Sequence, residues 1–120
     1  MHKELKGYLI RKGWFMRLNT DNLKDEEKKL KRYFNEKKNL YKIITYIKSL
    51  REYRDLFNNP FSKIYGFEVL KHEMSGFISF NLNKNGGVIR LICSVDEQNN
   101  KLKIEFISMD HYKDFIRKVR

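Results

Sequence analysis

Three side chains that can carry acid–base and phosphate chemistry fall in one stretch of this 120-residue chain. Glu68 is a carboxylate, Arg90 a cation and His111 an imidazole, and each lies on or beside a predicted β-strand. An imidazole with a pKa near ~6.5 can hold and release a proton around neutral pH. Arg90 interrupts an otherwise apolar strand, where a charge needs a partner or a functional surface. If the protein is an enzyme, its chemistry is predicted between residues 68 and 112.

The strands that must position these residues are predicted from alternating apolar side chains. We interpret as three strands the segments EVLKHEMSGFISFNL, VIRLICSVD and KLKIEFISMDHY. Asn85-Gly86-Gly87 supplies a tight turn and residues 96–100 a polar loop, and both are too short for a crossover. Side chains alternate between faces. One face is therefore predicted to be apolar, with Ile78, Phe80, Leu82, Ile89, Leu91, Cys93, Val95, Leu102, Ile104 and Phe106.

The opposite face of the same strands collects polar side chains with a basic bias. Its predicted members are Ser79, Asn81, Arg90, Lys101, Lys103 and Glu105, joined by His111 if the alternation continues to the end. Helices need an apolar surface to cover, and the apolar face offers one. The face that carries Arg90, Lys103 and His111 is therefore predicted to stay open.

Two amphipathic helices are predicted ahead of the sheet. The first starts near Asn22, and the second has an apolar stripe at Leu40, Ile43, Ile44, Ile47, Leu50 and Phe57 and ends at Asn58-Asn59-Pro60. Asn35 and Asn39 mark a predicted break, although a single helix over 22–57 fits the pattern too. The prediction is one α+β domain, with two helices on one face of a small twisted antiparallel sheet. Its parts are a strand region at 1–20, the helical pair at 21–59, the sheet at 67–112 and a basic tail at 113–120.

The net charge of the chain favours anionic partners. Lys and Arg number 26 against 15 Asp and Glu, which gives +11. Such a charge attracts nucleic acid first, and then an anionic membrane or an acidic protein. No apolar run approaches the roughly 20 residues of a membrane span, so a cytoplasmic protein without membrane contact is predicted. The one cysteine, Cys93, fits a buried site in a reducing compartment.

Metal and nucleotide cofactors are not expected from the sequence. His2, His72 and His111 are scattered, and a single cysteine offers no ligand spacing. Gly86-Gly87 belongs to a predicted hairpin and lacks the helix that follows a phosphate-binding loop. We therefore predict that the protein works without a cofactor.

The motifs of the second half resemble, in their order, the RelE superfamily of bacterial toxins and most closely its YoeB-like branch. They are Glu-x-Leu-Lys from Glu68, Ser-Gly-Phe at a strand entry, Arg-Leu at the next strand and a final His111-Tyr112. The resemblance covers about residues 61–112. The chain has Phe80 and Asn81 where that branch has two arginines, and eight residues follow the His-Tyr pair.

The resemblance implies the toxin of a type II toxin–antitoxin system, acting as a metal-independent and ribosome-dependent mRNA endoribonuclease. It implies that Glu68 is the base, that Arg90 stabilises the phosphate and that His111 is the acid, with Tyr112 beside it. The implied partners are a cognate antitoxin, which would cover the open sheet face or displace the C-terminal residues, and mRNA with the ribosome and its RNA. RNA contacts are expected from Lys71, His72, Asn81 and Lys103.

Two other functions fit the same sequence. A ParE-like toxin of the same fold inhibits DNA gyrase as a binder and needs no acid–base set. A plain basic module would bind nucleic acid or protein through its charge, with salt-sensitive affinity and no cleavage. The enzyme reading is therefore a prediction that a cleavage assay must decide.

Overall fold

The computed structural model describes residues 15–83 and 87–119, with side chains as far as residue 117. Residues 8–14 of the predicted strand region and Asn85-Gly86 of the predicted turn lie outside this part. The strands are β1 Arg17–Asn19, β2 Glu68–Val69, β3 Phe77–Asn81, β4 Arg90–Asp96 and β5 Lys101–Ser108. The helices are α1 Leu23–Glu27, α2 Phe34–Ser49, α3 Asp55–Asn58, α4 Phe61–Ile64 and α5 Lys113–Val119. Short 3₁₀ turns lie at Lys28–Leu30 and His72–Met74.

The five strands form one mixed sheet in the order β1-β5-β4-β3-β2. The predicted antiparallel meander is confirmed for β3, β4 and β5. The prediction of a wholly antiparallel sheet is wrong, because β1 pairs with β5 in parallel. The segment from Glu68 to Leu82 is not one strand either: β2 turns back through the 3₁₀ turn and pairs antiparallel with β3. The architecture is therefore α+β, with a mixed sheet.

The main core lies between α2 and one face of the sheet. The apolar stripe of α2 is buried there against strand residues such as Phe80, Leu91 and Ile104. Each such side chain contributes about 1.5–3 kcal/mol on leaving water. Among the described helices, none is long and apolar enough to cross a membrane.

The ends of α2 differ from those predicted. The helix begins at Phe34, so the break in the helical pair lies at residues 31–33 and not at Asn35 or Asn39. The Asn39 amide donates to the Leu82 carbonyl at 2.8 Å, which ties α2 to the end of β3 instead of interrupting the helix. The helix ends at Ser49, because Leu50 is extended and its carbonyl accepts from the Met16 amide.

A β-bulge changes which face the end of β5 presents. Cys93 pairs with Ile104, but Ile92 pairs with Phe106, so Glu105 is the extra residue. One extra residue moves every later side chain to the opposite face. The prediction that Phe106 shares a face with Ile104 is therefore wrong, and Ile107 joins the main core in its place.

A second, smaller apolar cluster covers part of the other face. Helix α5 lies there, and Phe115 packs against Phe77 and Phe106 with ring centroids 5.0 and 5.7 Å away. The cluster comprises Leu70, Ile92, Phe106, Tyr112 and Phe115. The expected open face is thus covered at this end by the segment predicted as a basic tail.

Helix α1 protects the edge of β5 where β1 does not reach. β1 pairs only with residues 101–103. Beyond them, Asn22 donates to the Ile104 carbonyl, while Glu26 accepts from the Ile107 amide at 2.7 Å and Lys29 donates to its carbonyl at 3.0 Å. Side chains of α1 and of the residues that flank it thereby satisfy edge groups that would otherwise be open to another strand.

Candidate active site

Arg90 begins β4 as a buried cation with three partners. Its side chain is 8% exposed. Nε donates to Ser79 Oγ at 3.1 Å, and Nη2 donates to the Gly66 carbonyl. The same Nη2 lies 3.7 Å from Glu68 Oε2. The guanidinium is therefore fixed in one orientation, which a phosphate-binding group requires.

Glu68 lies at the rim of this cluster, on β2, with a side chain that is 55% exposed. The Tyr112 hydroxyl donates to Glu68 Oε2 at 3.4 Å and lies 2.8 Å from Ser79 Oγ. Because Arg90 Nε already donates to Ser79, the Ser79 proton is available for Tyr112, and the Tyr112 proton for Glu68. A chain of donors thus runs from the guanidinium to a carboxylate that solvent can reach.

His111 stands beside the cluster with its side chain exposed. Its ring centroid is 5.1 Å from that of Tyr112. β5 ends at Ser108, so the alternation that would have placed His111 on the Arg90 face does not continue. His111 and Tyr112 instead have φ values of 56° and 74°, in the left-handed region. The turn, and not strand parity, brings His111 to the edge of the site.

A carboxylate on α5 holds this turn. Asp114 Oδ1 accepts from Ser108 Oγ at 2.7 Å, and Ser108 Oγ accepts from the Tyr112 amide at 2.8 Å. The His111 amide donates to the Val88 carbonyl at 3.0 Å. These bonds offset the backbone strain of two consecutive left-handed residues, which is about 1–3 kcal/mol each.

We expect Asp114→Ala to lower the free energy of unfolding by about 1–2 kcal/mol, because Ser108 loses its acceptor and the strained turn loses its support. Chemical denaturation measures the change. Asp25→Ala is the matched control, since its ion pair with Lys28 is exposed on both sides and should contribute less than about 1 kcal/mol. Equal losses in the two variants would contradict a role for Asp114 in the turn.

Burial raises the pKa of Tyr112 above its usual value; the Ser79 bond and the Arg90 charge lower it by less, and Glu68 raises it. An unfolded tyrosine loses its proton as the pH passes about 10, while native Tyr112 keeps its own. The stability that Tyr112 contributes is therefore complete below about pH 10 and lost above it.

We expect Tyr112→Phe to flatten the fall in unfolding free energy between about pH 9 and pH 11, because phenylalanine has no proton to lose. Urea denaturation across that range measures the slope. Tyr33→Phe, at an exposed ring outside this cluster, is the matched control and is measured under the same conditions. A wild-type slope in Tyr112→Phe would refute this assignment.

Asn81 and Gly66 shape the floor of the cluster. Asn81 is the cross-strand partner of Arg90, and its backbone N–H donates to the Tyr65 carbonyl at 2.8 Å. A Cβ on Gly66 would lie 2.5 Å from that of Asn81, and Gly66 has a φ of +64°. Only glycine fits this close approach, which places the Gly66 carbonyl against Arg90.

The remaining predicted RNA-binding residues lie away from this cluster. Lys71 and His72 are exposed on the connection from β2 to β3, beyond Glu68. Lys103 pairs with Ser94, four residues along β4 from Arg90, or about 13 Å at strand spacing. Its Nζ is 4.0 Å from Glu105. The structure brings together Glu68, Arg90, Tyr112, His111 and Asn81, but not these three.

Ser79 is the member of the site that the sequence prediction did not include. It is fully buried and contacts both Arg90 and Tyr112. A signal was present, because a serine on the Arg90 face of an otherwise apolar strand needs a hydrogen-bond partner.

The described residues contain no group of three or more His, Cys, Asp and Glu side chains that could hold a metal ion. Cys93 lies in the main core, and burial raises the pKa of its thiol far above the usual range. A thiol in that state is a poor nucleophile. The cluster itself offers a carboxylate, a guanidinium, a phenol and an imidazole.

The fold and the site define a small basic α+β domain with a Glu-Arg-Tyr cluster at the edge of a mixed sheet. No protein-family model matches the chain, and no curated protein matches it. Among solved structures it is similar to a YoeB/ParE toxin from Agrobacterium tumefaciens, at 16% identity and a TM-score of 0.49, over 78% of this chain and 95% of the toxin.

It is also similar to the YoeB dimer from Staphylococcus aureus, at 18% identity and a TM-score of 0.47, over 80% of this chain and 95% of the other. Similarity at this level leaves the function to be inferred from the side chains of the chain itself.

Proposed function

We propose that the protein is the toxin of a toxin–antitoxin system and that it cleaves messenger RNA on the ribosome without a metal ion. The observation that carries this proposal is the Glu68 carboxylate 3.7 Å from the Arg90 guanidinium, with the Tyr112 hydroxyl 3.4 Å from the same carboxylate oxygen. A base, a fixed cation and a neighbouring imidazole are the groups that cleavage of RNA through its 2′-hydroxyl requires.

In the proposed reaction, Glu68 accepts the proton of a ribose 2′-hydroxyl as its oxygen attacks the adjacent phosphorus. Arg90 stabilises the negative charge that builds on the phosphate oxygens. The bond from phosphorus to the 5′-oxygen then breaks, and His111 donates the proton that the leaving oxygen takes up. The products are a 2′,3′-cyclic phosphate and a 5′-hydroxyl end. Tyr112 orients Glu68 by donating to it.

The charge of the chain supports the choice of substrate. A net charge of +11 attracts RNA over a long range. Lys71, His72 and Lys103 extend the cationic surface beyond the cluster and are proposed to contact phosphates, with Asn81 facing the RNA beside Arg90. Partners of this proposal are mRNA, ribosomal RNA and an antitoxin protein.

The test is to add the purified protein to ribosomes translating a defined message and to map new 5′ ends by primer extension. We expect cleavage within codons, absent from the same message without ribosomes. His111→Ala, which removes an exposed side chain, should reduce the rate by about 10²–10⁴-fold. Glu68→Gln should also reduce it strongly. Glu97→Gln, an exposed carboxylate on the loop after β4, is the matched control.

An intact message in the presence of folded wild-type protein would refute the nuclease and favour a non-catalytic toxin. Gyrase inhibition and salt-dependent binding would then be measured next. Cleavage that survives both His111→Ala and Glu68→Gln would keep the activity and refute the residues.

A further inference from the structure

Helix α2 presents a second apolar surface besides the stripe that it buries in the core. A groove of about 930 Å³ runs along its outer side towards α4 and the residue after it, Tyr65. Its most exposed rings are those of Phe34 at 77% and Phe61 at 56%, with Tyr41 partly exposed between them. Large apolar groups gathered on one surface of a basic chain indicate a binding surface.

The wall of the groove near α4 is preorganised. The rings of Tyr46 and Tyr65 pack at 5.1 Å between centroids, and the Tyr46 hydroxyl lies 2.6 Å from Ser62 Oγ. These contacts hold the wall without filling the space in front of it. A ligand would therefore meet a largely formed surface, which reduces the entropic cost of binding.

The rim of the groove is basic. Lys37, Lys38 and Lys42 line it, and no Asp or Glu is among the lining residues. Lys37 is 3.5 Å from Glu27, which lies outside the lining, so Lys38 and Lys42 carry most of the rim charge. An occupant that matches this surface has apolar side chains on one face and carboxylates beside them.

The surroundings favour an acidic peptide segment over the other occupants. A second copy of the chain would bring another +11 charge to a lysine-lined surface. Single-stranded RNA would match the lysines, but its bases stack on open ring faces. Two of the groove's rings, Tyr46 and Tyr65, already pack against each other at an angle of 39° between their planes. The concave, mostly apolar floor fits branched or aromatic side chains better than a phosphate backbone.

We propose that this groove binds an acidic amphipathic helix from a partner protein. Apolar side chains at helical spacing fill the groove between Phe34 and Phe61, and flanking Asp or Glu side chains face Lys38 and Lys42. α2 has 16 residues, so it is about 24 Å long and accommodates a helix of similar length. This inference does not depend on the proposed nuclease activity.

The test uses a fluorescent synthetic helix of about 18 residues, with leucines at i, i+3, i+4 and i+7 and glutamates elsewhere. Two control peptides replace the leucines with serine or the glutamates with lysine. Binding is followed by fluorescence anisotropy at low and high salt. We expect only the first peptide to bind tightly, and Phe34→Ser and Phe61→Ser each to weaken it about tenfold. Lys42→Glu should weaken it and reduce its dependence on salt.

Matched control variants separate this groove from general stickiness and charge. Ile64→Ser removes an apolar side chain that is 71% exposed and lies outside the groove. Lys48→Glu changes a lysine of α2 that does not line it. Both should bind the peptide within about twofold of the wild type, allowing for one surface charge. Circular dichroism checks that every variant is folded.

Three results would overturn the proposal. Phe34→Ser and Phe61→Ser could bind the peptide as the wild type does. The same variants could weaken the binding of a short oligouridylate more than that of the peptide, which would assign the groove to RNA. Sedimentation could show a dimer that Phe34→Ser dissociates, which would assign the groove to a second copy.

Discussion

Under the proposed function, replacing Arg90 with lysine is expected to lower message cleavage by about 100-fold while the protein remains folded. A lysine keeps the charge but has one nitrogen, so it cannot bond Ser79 and Gly66 and also pair with Glu68 as the guanidinium does. The negative charge that develops on the phosphate in the transition state would then be stabilised by a mobile ammonium group instead of a fixed guanidinium. Losing one preorganised donor of this kind costs about 10²–10³ in rate.

Single-turnover cleavage on programmed ribosomes measures the Arg90→Lys effect, and circular dichroism with thermal unfolding checks the fold. Arg54→Lys, at an exposed position ahead of α3, is the control and should cleave at the wild-type rate. A fast Arg90→Lys enzyme would show that Arg90 supports the sheet and does not act on phosphate.

Phe115→Ala is expected to lower the free energy of unfolding by about 3 kcal/mol. The ring is buried between Phe77 and Phe106, and truncation leaves a cavity that the sheet cannot close. Helix α5 would lose its main anchor, and with it the Asp114 contact that supports the His111-Tyr112 turn. Under the proposed function, cleavage should therefore fall together with stability.

Urea denaturation measures the stability of Phe115→Ala, and Phe34→Ala, with an exposed ring, is the control that should change it by less than about 0.5 kcal/mol. Cleavage is compared at a temperature where both variants are folded. Full stability in Phe115→Ala would mean that α5 is not docked on the sheet.

The parts of the fold that follow from local patterns were predictable from the sequence. The spacing of Leu40, Ile43, Ile44 and Ile47 correctly gave the buried face of α2, and alternation placed Ile78, Leu91 and Ile104 in the core. These positions depend only on the helix and strand periods. The face of Phe106 depended on a bulge, which alternation alone does not reveal.

The role of α1 was also beyond sequence patterns. Glu26 fits the acidic first turn that a helix dipole favours, but in the structure it accepts the Ile107 amide. That contact joins residues far apart in the chain, and no local signal marks it. The docking of α5 is similar, because a seven-residue basic segment shows little amphipathic pattern of its own.

For the site, the sequence predicted Glu68 and Arg90 on neighbouring strands. In the structure β3 lies between their strands, and the two side chains still approach to 3.7 Å. Ser79 was left out because its importance comes from two partners that meet only in the fold. Tyr112 was placed beside His111, yet it is Tyr112 that contacts the cluster directly. The left-handed turn at His111 and Tyr112 orients the Tyr112 side chain towards the cluster, and these two residue types give no reliable sequence signal for such a turn.

The parallel pairing of β1 with β5 has a consequence for the order of folding. It joins residues near opposite ends of the chain, and β5 also supplies the carbonyls and the amide that Asn22, Lys29 and Glu26 bind. Closing so long a loop is slow and must precede the contacts that reward it. A nascent chain that ends at β4 therefore lacks the strand with which β1 pairs and the edge groups that Asn22, Glu26 and Lys29 bind. If the protein cleaves messages, it gains that ability only after its own message has been translated past β5.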